Sequence, residues 1–116
     1  MDKQKIKELF ENLLNNQSEE NVVQVINYAK AANIENQEGF NEVWDFLNIC
    51  FRINRKVAEI AMNVKGWGEF GTKITQNEFY KSMSNDDLLE ERSTNVLASI
   101  GYKYDYSAGY TKIEED

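Results

Sequence analysis

The stretch from Phe40 to Gly66, FNEVWDFLNICFRINRKVAEIAMNVKG, decides the fold. Its apolar residues recur every three or four positions, which places them on one face of a helix. That face consists of Phe40, Val43, Trp44, Leu47, Cys50 and Phe51, and it continues through Val57, Ile60, Ala61 and Val64. The pattern predicts one long helix from about Gln37, or two helices with a bend near Asn54, which is a good cap for a fresh start. Gly66 is the expected end, because glycine commonly follows the last helical turn.

Two amphipathic helices are predicted before this stretch. In residues 3–15 the apolar side chains lie at i, i+3, i+4, i+7 and i+8, starting from Ile6. A second helix is predicted over residues 18–32, where Ser18 is a good N-cap and Glu19 and Glu20 suit the positive end of the helix dipole. The chain contains no proline, so no helix interior lacks a backbone N–H donor for that reason.

The residues after Gly66 predict a loop and two further helices. Residues 66–74 read as a glycine-aromatic loop, because three glycines surround Trp67 and Phe70. Thr75 and Glu78 have the spacing of a capping box, which predicts a short helix over about 76–83. Ser84 then caps a longer helix that ends near Gly101.

The end of the chain changes from helical to strand-like spacing. Tyr102, Tyr104 and Tyr106 alternate with charged residues, Ser107-Ala108-Gly109 can turn, and residues 110–113 can return as a second strand. Residues 114–116 predict a frayed acidic tail. We therefore predict a mainly α fold, with five or six helices and a C-terminal β-hairpin in a single compact domain over residues 1–116.

Charge is distributed unevenly along this chain of net charge −7. Residues 51–83 carry a net charge of +3, whereas residues 1–50 and 84–116 carry −5 each. The glycine-aromatic stretch lies inside the basic block, and Trp and Arg are common among interface hot spots. This combination predicts a partner-binding surface made of Arg52, Arg55, Lys65, Trp67, Phe70 and Lys73. Trp44 shares the phase of the apolar face and is expected in the core, whereas Trp67 is expected either to plug a gap between helices or to anchor a partner.

The residue inventory excludes several kinds of chemistry. The chain has no histidine and one cysteine, so histidine-based catalysis, histidine metal sites and a cysteine zinc site are impossible. Cys50 lies on the apolar face and is expected to be a small buried side chain. Gly66, Gly68 and Gly71 match the letters of a dinucleotide fingerprint, but a helix precedes them where that motif needs a strand. We expect no cofactor, no bound metal and no catalytic residue.

Carboxylates are the one remaining route to catalysis. Glu38, Glu42 and Asp45 share a helix face, and Glu42-Val43-Trp44-Asp45 resembles one acidic pair of the all-helical, magnesium-dependent nucleotide pyrophosphohydrolases. The second pair of that family is incomplete, because Val23 stands where a further acid belongs after Glu19 and Glu20. A solvated acidic face is the preferred interpretation, and an enzyme of this type is our third hypothesis.

Residues 54–113 resemble a winged helix-turn-helix domain in the order of their predicted elements. The resemblance rests on the short helix that begins near Ile74, the longer helix that ends at Ile100, and the hairpin that follows. It implies that Arg92, Ser93, Thr94 and Asn95 face DNA bases and that Lys103 and Lys112 touch phosphate. The same helix carries Asp86, Asp87, Glu90 and Glu91, whose charges would repel phosphate.

The preferred function is a non-catalytic interaction domain that binds a protein partner, and we expect that partner to be acidic at the contact. A small regulatory or inhibitory protein fits best, because small acidic chains without catalytic residues often act by occupying a surface. The composition, rich in Asn, Lys, Glu and Ile and without Pro, resembles that of AT-rich Gram-positive bacteria or their phages. We expect a cytoplasmic protein without a membrane segment. A homodimer stays open, and the alternative function is a winged-helix DNA-binding regulator.

Overall fold

The computed structural model of the chain describes residues 1–83 and 86–113, and for residues 86 and 87 it describes the backbone alone. Seven helices and one two-stranded hairpin make up the described part. They are α1 (Lys3–Asn15), α2 (Glu19–Lys30), α3 (Gln37–Phe51), α4 (Arg55–Met62), α5 (Trp67–Thr75), α6 (Tyr80–Met83), α7 (Asp86–Ser99), β1 (Tyr102–Asp105) and β2 (Gly109–Lys112). The predicted mainly α fold with a C-terminal hairpin is confirmed.

The first four helices begin at side-chain caps that the sequence supplies. Asp2 Oδ1 accepts a hydrogen bond from the backbone N–H of Gln4 at 2.8 Å at the start of α1. Ser18, Asn36 and Asn54 do the same for α2, α3 and α4. Each cap satisfies a backbone N–H that has no partner within its helix, which fixes where that helix starts.

Helix α3 is the centre of the molecule, and α1, α2, α4 and α7 all pack against it. Its buried side chains include Phe40, Phe46, Ile49 and Cys50. They belong to one hydrophobic core, to which α1, α2, α4, α5, α7 and β1 also contribute. The N-terminal and C-terminal parts of the chain therefore share a single apolar interior.

The bend near Asn54 is real, and α3 and α4 are separate helices. Asn54 Oδ1 accepts from the backbone N–H of Val57 at 3.2 Å, and its amide nitrogen donates to Gln17 Oε1 at 3.0 Å. The side chain thus starts α4 and ties that start to the turn after α1.

The predicted loop over residues 66–74 was wrong, because α5 occupies this stretch. Trp67, Phe70 and Ile74 lie on one helix face, where Phe70 and Ile74 are buried and Trp67 packs against the core. This packing offsets the low helix propensity of the two glycines inside α5. Gly66, with φ of 87°, does not end α4 but starts α5.

The capping box at Thr75 and Glu78 was also wrong. The Thr75 hydroxyl donates to the carbonyl oxygen of Thr72 within α5. Asn77 organises the next turn instead, since its Oδ1 accepts from the backbone N–H of Phe79 at 2.9 Å. The predicted helix over 76–83 is shortened to α6. The predicted cap Ser84 and the predicted tail 114–116 lie outside the described residues.

The hairpin forms as predicted and packs on the helices. Strands β1 and β2 pair antiparallel, with Tyr104 opposite Tyr110, and Gly109 takes a positive φ of 77° in the turn. The rings of Tyr102 and Tyr110 meet Phe10 of α1 edge-on, with centroids 5.2 and 5.3 Å away. In the segment 54–113, helix α5 stands where a loop was predicted, the hairpin packs on α1, and α7 packs on α3.

Candidate partner-binding site

An apolar slot of about 180 Å³ opens between α3 and α5. Both helices contribute one face, and the slot is lined by Trp44, Leu47, Asn48, Phe51, Trp67, Gly71, Ile74 and Thr75. Trp67 meets Phe51 edge-on, with ring centroids 5.3 Å apart, and this contact joins the two helices. We call this feature the slot; it is where the structure places the tryptophan that the sequence left undecided.

Trp67 plugs a gap between helices, and its role as an anchor for a partner stays a prediction. Its ring is half-buried and holds α5 against Phe51, so it plugs a gap between helices. The same ring also forms a wall of the slot and stays partly accessible. The opening helical position of α5, after a left-handed Gly66, puts the indole at this edge.

Trp44 forms another wall and is less buried than expected. It packs against the core but keeps an accessible edge in the slot. Its ring stacks on Phe40 with centroids 6.1 Å apart and meets Tyr80 edge-on at 5.2 Å. Its indole Nε1 is buried and finds no hydrogen-bond acceptor among the described residues. The expectation of a core position holds for the side facing Phe40 and fails for the side facing the slot.

The four predicted bases are all exposed, and they lie at different places around α5: Arg52 is next to the slot, whereas Lys73 lines a cleft on the other side of α5. Arg52 follows Phe51 at the end of α3, Arg55 begins α4, Lys65 lies between α4 and α5, and Lys73 lies in the last turn of α5. In the part of the chain that the structure describes, none of the four forms an ion pair with a carboxylate. Their charges are therefore available to a partner.

Phe70 does not belong with these residues, because it is only 6% exposed. Its burial follows from its position on α5, because it lies on the inward helix face that also carries Trp67 and Ile74. Phe70 touches a second cleft, of about 560 Å³, on the other side of α5, where Lys73 also lies. Lys30 of α2 lines this cleft as well and was missed, since nothing in the sequence links α2 to α5.

Arg52 marks the end of α3 next to the slot. It lines a shallow depression with Asn48, Leu89 and Glu90, and Asn48 also lines the slot. The depression and the slot are thus neighbours across one side chain. A ligand that fills the slot and extends past Asn48 would meet the guanidinium of Arg52.

The residues implied by the winged-helix resemblance are only partly accessible. Arg92 donates to both carboxylate oxygens of Asp45, at 3.0 and 2.8 Å, and Ser93 is 5% exposed. Thr94 and Asn95 are exposed on α7, and Lys103 is exposed on β1. Lys112 lies 4.0 Å from the Glu11 carboxylate. The two residues at the start of the implied base-reading set are therefore engaged inside the molecule.

The acidic face of α3 is solvated at Glu38 and partly at Glu42, but not at Asp45. Asp45 is buried and bound to Arg92, and Glu42 accepts from the amino group of Met1. The solvated face expected for Asp45 was therefore wrong. Among the described side chains, no group of three carboxylate or thiol ligands comes close enough to hold a metal ion.

The tyrosine and cysteine side chains near the core have shifted acidities. Burial, followed by the hydrogen bond and the charge of Glu11, raises the pKa of Tyr102 to about 12. Burial raises the pKa of the Cys50 thiol well above its ordinary range. A thiol that stays protonated inside α3 is not a nucleophile.

Comparison with known proteins gives no assignment. No protein-family model matches the chain, and no curated protein or solved structure matches it either. Among the described helices, none combines the length and the apolar character that crossing a bilayer requires.

Proposed function

We propose that this chain is a non-catalytic domain that binds an acidic protein partner, as a small regulatory or inhibitory protein of a bacterium or its phage. The contact would involve the exposed bases from the end of α3 to the last turn of α5. We call this region the α3–α5 surface and define it as Arg52, Arg55, Lys65, Lys73 and the accessible edge of Trp67. A cytoplasmic setting belongs to the same proposal.

The observation that carries the proposal is the run of exposed bases from Arg52 to Lys73, in the chain segment that also holds the half-buried Trp67. Among the described residues, none of these bases is paired with a carboxylate. These bases lie on the surface of a chain whose net charge is −7, so this surface differs in sign from most of the molecule. Unpaired positive charge accelerates encounter with an acidic partner. Tryptophan and arginine then supply the contacts that most often dominate binding energy.

The inventory of reactive groups also supports a binding role. The chain has no histidine, and two of the three acids in the proposed catalytic cluster are engaged by Arg92 and by the Met1 amino group. A general acid or base must reach a substrate proton. Side chains that are already paired inside the molecule are poorly suited to that task.

The test is capture of partners from nuclease-treated extract of the host, with three immobilised baits compared. The first bait is the wild-type chain, and the second carries Arg52→Glu and Lys73→Glu. The third carries Lys3→Glu and Lys103→Glu, which make the same charge change at exposed positions away from the α3–α5 surface. We expect the second bait to lose a protein that the first and third retain.

The same baits distinguish protein binding from the alternative function, DNA binding. A winged-helix DNA binder would bind duplex DNA at low salt, with an affinity that falls as salt rises, and Lys103→Glu would weaken it. A partner retained equally by all three baits would refute the α3–α5 surface. Salt-sensitive binding of duplex DNA that is lost only in the third bait would replace the protein-binding proposal.

A further inference from the structure

The slot has the size and lining of a pocket for one apolar group. Its volume of about 180 Å³ is close to that of an engineered apolar cavity of about 150 Å³ that binds benzene in another protein. It is smaller than the range of about 300–1,000 Å³ that is usual for larger ligands. We infer that the slot holds a single phenylalanine or leucine side chain of the acidic partner, an inference that rests on the proposed function.

Gly71 is the reason that the slot is open. It lies in the interior of α5, where glycine is less favourable than alanine by about 1 kcal/mol. A Cβ at Gly71 would meet the Trp67 ring at 3.7 Å, which is ordinary contact, so the fold does not require glycine here. A side chain at this position would instead project into the slot, and the glycine keeps that volume free.

Both polar side chains of the slot form a hydrogen bond within their own helix. The amide nitrogen of Asn48 donates to the carbonyl oxygen of Trp44 at 2.7 Å, and the Thr75 hydroxyl donates to that of Thr72 at 3.2 Å. The remaining lining is aromatic and aliphatic, so it favours an apolar group over one that needs hydrogen bonds.

The charge next to the slot indicates which kind of partner segment would carry the apolar side chain. Beyond Asn48 lies the exposed Arg52. Glu90 also lines the depression beside Arg52, and its carboxylate accepts from the Tyr106 hydroxyl at 3.3 Å. An apolar anchor with a carboxylate beside it would place the carboxylate near Arg52, which matches an acidic partner.

The experiment uses benzene as the probe and the full chain as the receptor. The chain has two tryptophans, and both line the slot, so tryptophan emission reports on this site alone. We expect a saturable change in emission and NMR cross-relaxation from benzene protons to Trp67 and Ile74. A wild-type chain that shows neither at saturating benzene overturns the inference.

Two variants locate the binding. Gly71→Leu fills the slot and should weaken benzene binding by about tenfold or more. Gly68→Leu makes the same change in the same helix, at a position with nothing within 4 Å of the added Cβ, and should leave binding unchanged. Equal binding by both variants refutes the slot as the site. If Gly71→Leu fails to fold, the cross-relaxation in the wild-type chain decides.

The outcome is separable from that of the proposed function. Partner capture that is lost in Arg52→Glu/Lys73→Glu but retained in Gly71→Leu refutes the apolar anchor and keeps the basic surface. Benzene binding that is blocked by Gly71→Leu, together with partner capture that no charge change affects, keeps the slot and refutes the acidic partner.

Discussion

Gly39 is the residue whose side chain the fold excludes most strongly. A Cβ at this position would lie 1.9 Å from the carbonyl oxygen of Asn33, which is backbone and cannot rotate away. We predict that Gly39→Ala lowers the free energy of unfolding by about 1–3 kcal/mol, the usual effect of overpacking. Urea denaturation followed by circular dichroism measures this change.

Gly68 is the matched control for that substitution. No atom of the described part of the chain lies within 4 Å of a Cβ added there, and the residue is helical. Gly68→Ala should therefore raise the free energy of unfolding by about 0.5–1 kcal/mol, because alanine restricts the unfolded chain and favours the helix. Gly39→Ala that unfolds at the same urea concentration as the wild type would contradict the close approach to Asn33.

Two tyrosines make the protein sensitive to alkali. Burial raises the pKa of both Tyr102 and Tyr110 to about 12 from the ordinary 10.0, although the charge of Arg52 opposes the shift at Tyr110. Below pH 10 both tyrosines are protonated in the folded and in the unfolded protein, so their contribution to the free energy of unfolding is fully present. Between pH 10 and about 12 the unfolded chain loses them first, and the free energy of unfolding falls.

The double substitution Tyr102→Phe and Tyr110→Phe tests this assignment. It removes the hydrogen bonds to Glu11 and to the Ile49 carbonyl oxygen, so stability is lower at neutral pH. The informative quantity is the slope of the free energy of unfolding against pH, measured by denaturation at a series of fixed pH values. Between pH 10 and 12 this slope should be flatter in the double variant than in the wild type. A slope equal to that of the wild type would show that other groups cause the alkaline loss.

At the scale of elements, the Asp45–Arg92 pair joins α3 to α7. The pair is bidentate, and Asp45 is 8% exposed. We predict that Arg92→Ala lowers the free energy of unfolding by about 1.5–3 kcal/mol, since it leaves a buried carboxylate without its partner. Chemical denaturation measures this change, and a cycle of Asp45→Leu, Arg92→Met and the variant that combines those two gives the coupling energy.

The double variant Asp45→Leu/Arg92→Met should recover most of that loss. Replacing both charges by apolar side chains removes the need to desolvate them. Losses that simply add in the double variant would show that the two side chains are not coupled. The pair also explains why Arg92 is poorly placed to read DNA.

Elements with strong periodicity were predictable from the sequence, and α5 was not. The apolar spacing in α1 predicts a helix and no other structure. The alternating tyrosines in the hairpin predict strands. In α5 the local preference of the glycines for a turn outweighed the apolar spacing of Trp67, Phe70 and Ile74. Packing of these side chains against α3 decides the structure, and no local signal shows that helix α3 lies there.

The candidate site was predictable in part for the same reason. Exposed bases at Arg52, Arg55, Lys65 and Lys73 follow from charge alone. To predict the slot, one must know the distance between α3 and α5. To predict the burial of Phe70, one must know that residues 67–75 form a helix and which face of it Phe70 lies on. The burial of Asp45 was missed because its partner Arg92 lies 47 residues away along the chain.

At the scale of the whole molecule, one core joins the two ends of the chain. Residues 54–113 pack their hairpin on Phe10 and their last helix on α3. We predict that a fragment of residues 54–113 alone does not fold, because these surfaces lose their partners. Far-ultraviolet circular dichroism should show little helix that melts cooperatively, whereas the full chain should unfold in one transition. A cooperatively folded fragment would indicate an independent winged-helix unit.

Because Cys50 is buried in the core, the reactivity of its thiol can be used to measure how often the core opens. The thiol is completely buried in the central helix and is the one cysteine of the chain. A thiol reagent can modify it only when α3 separates from its neighbours. The modification rate at several reagent concentrations therefore yields the frequency and the free energy of that opening under native conditions. Partner binding on the α3–α5 surface would slow this reaction in proportion to its affinity.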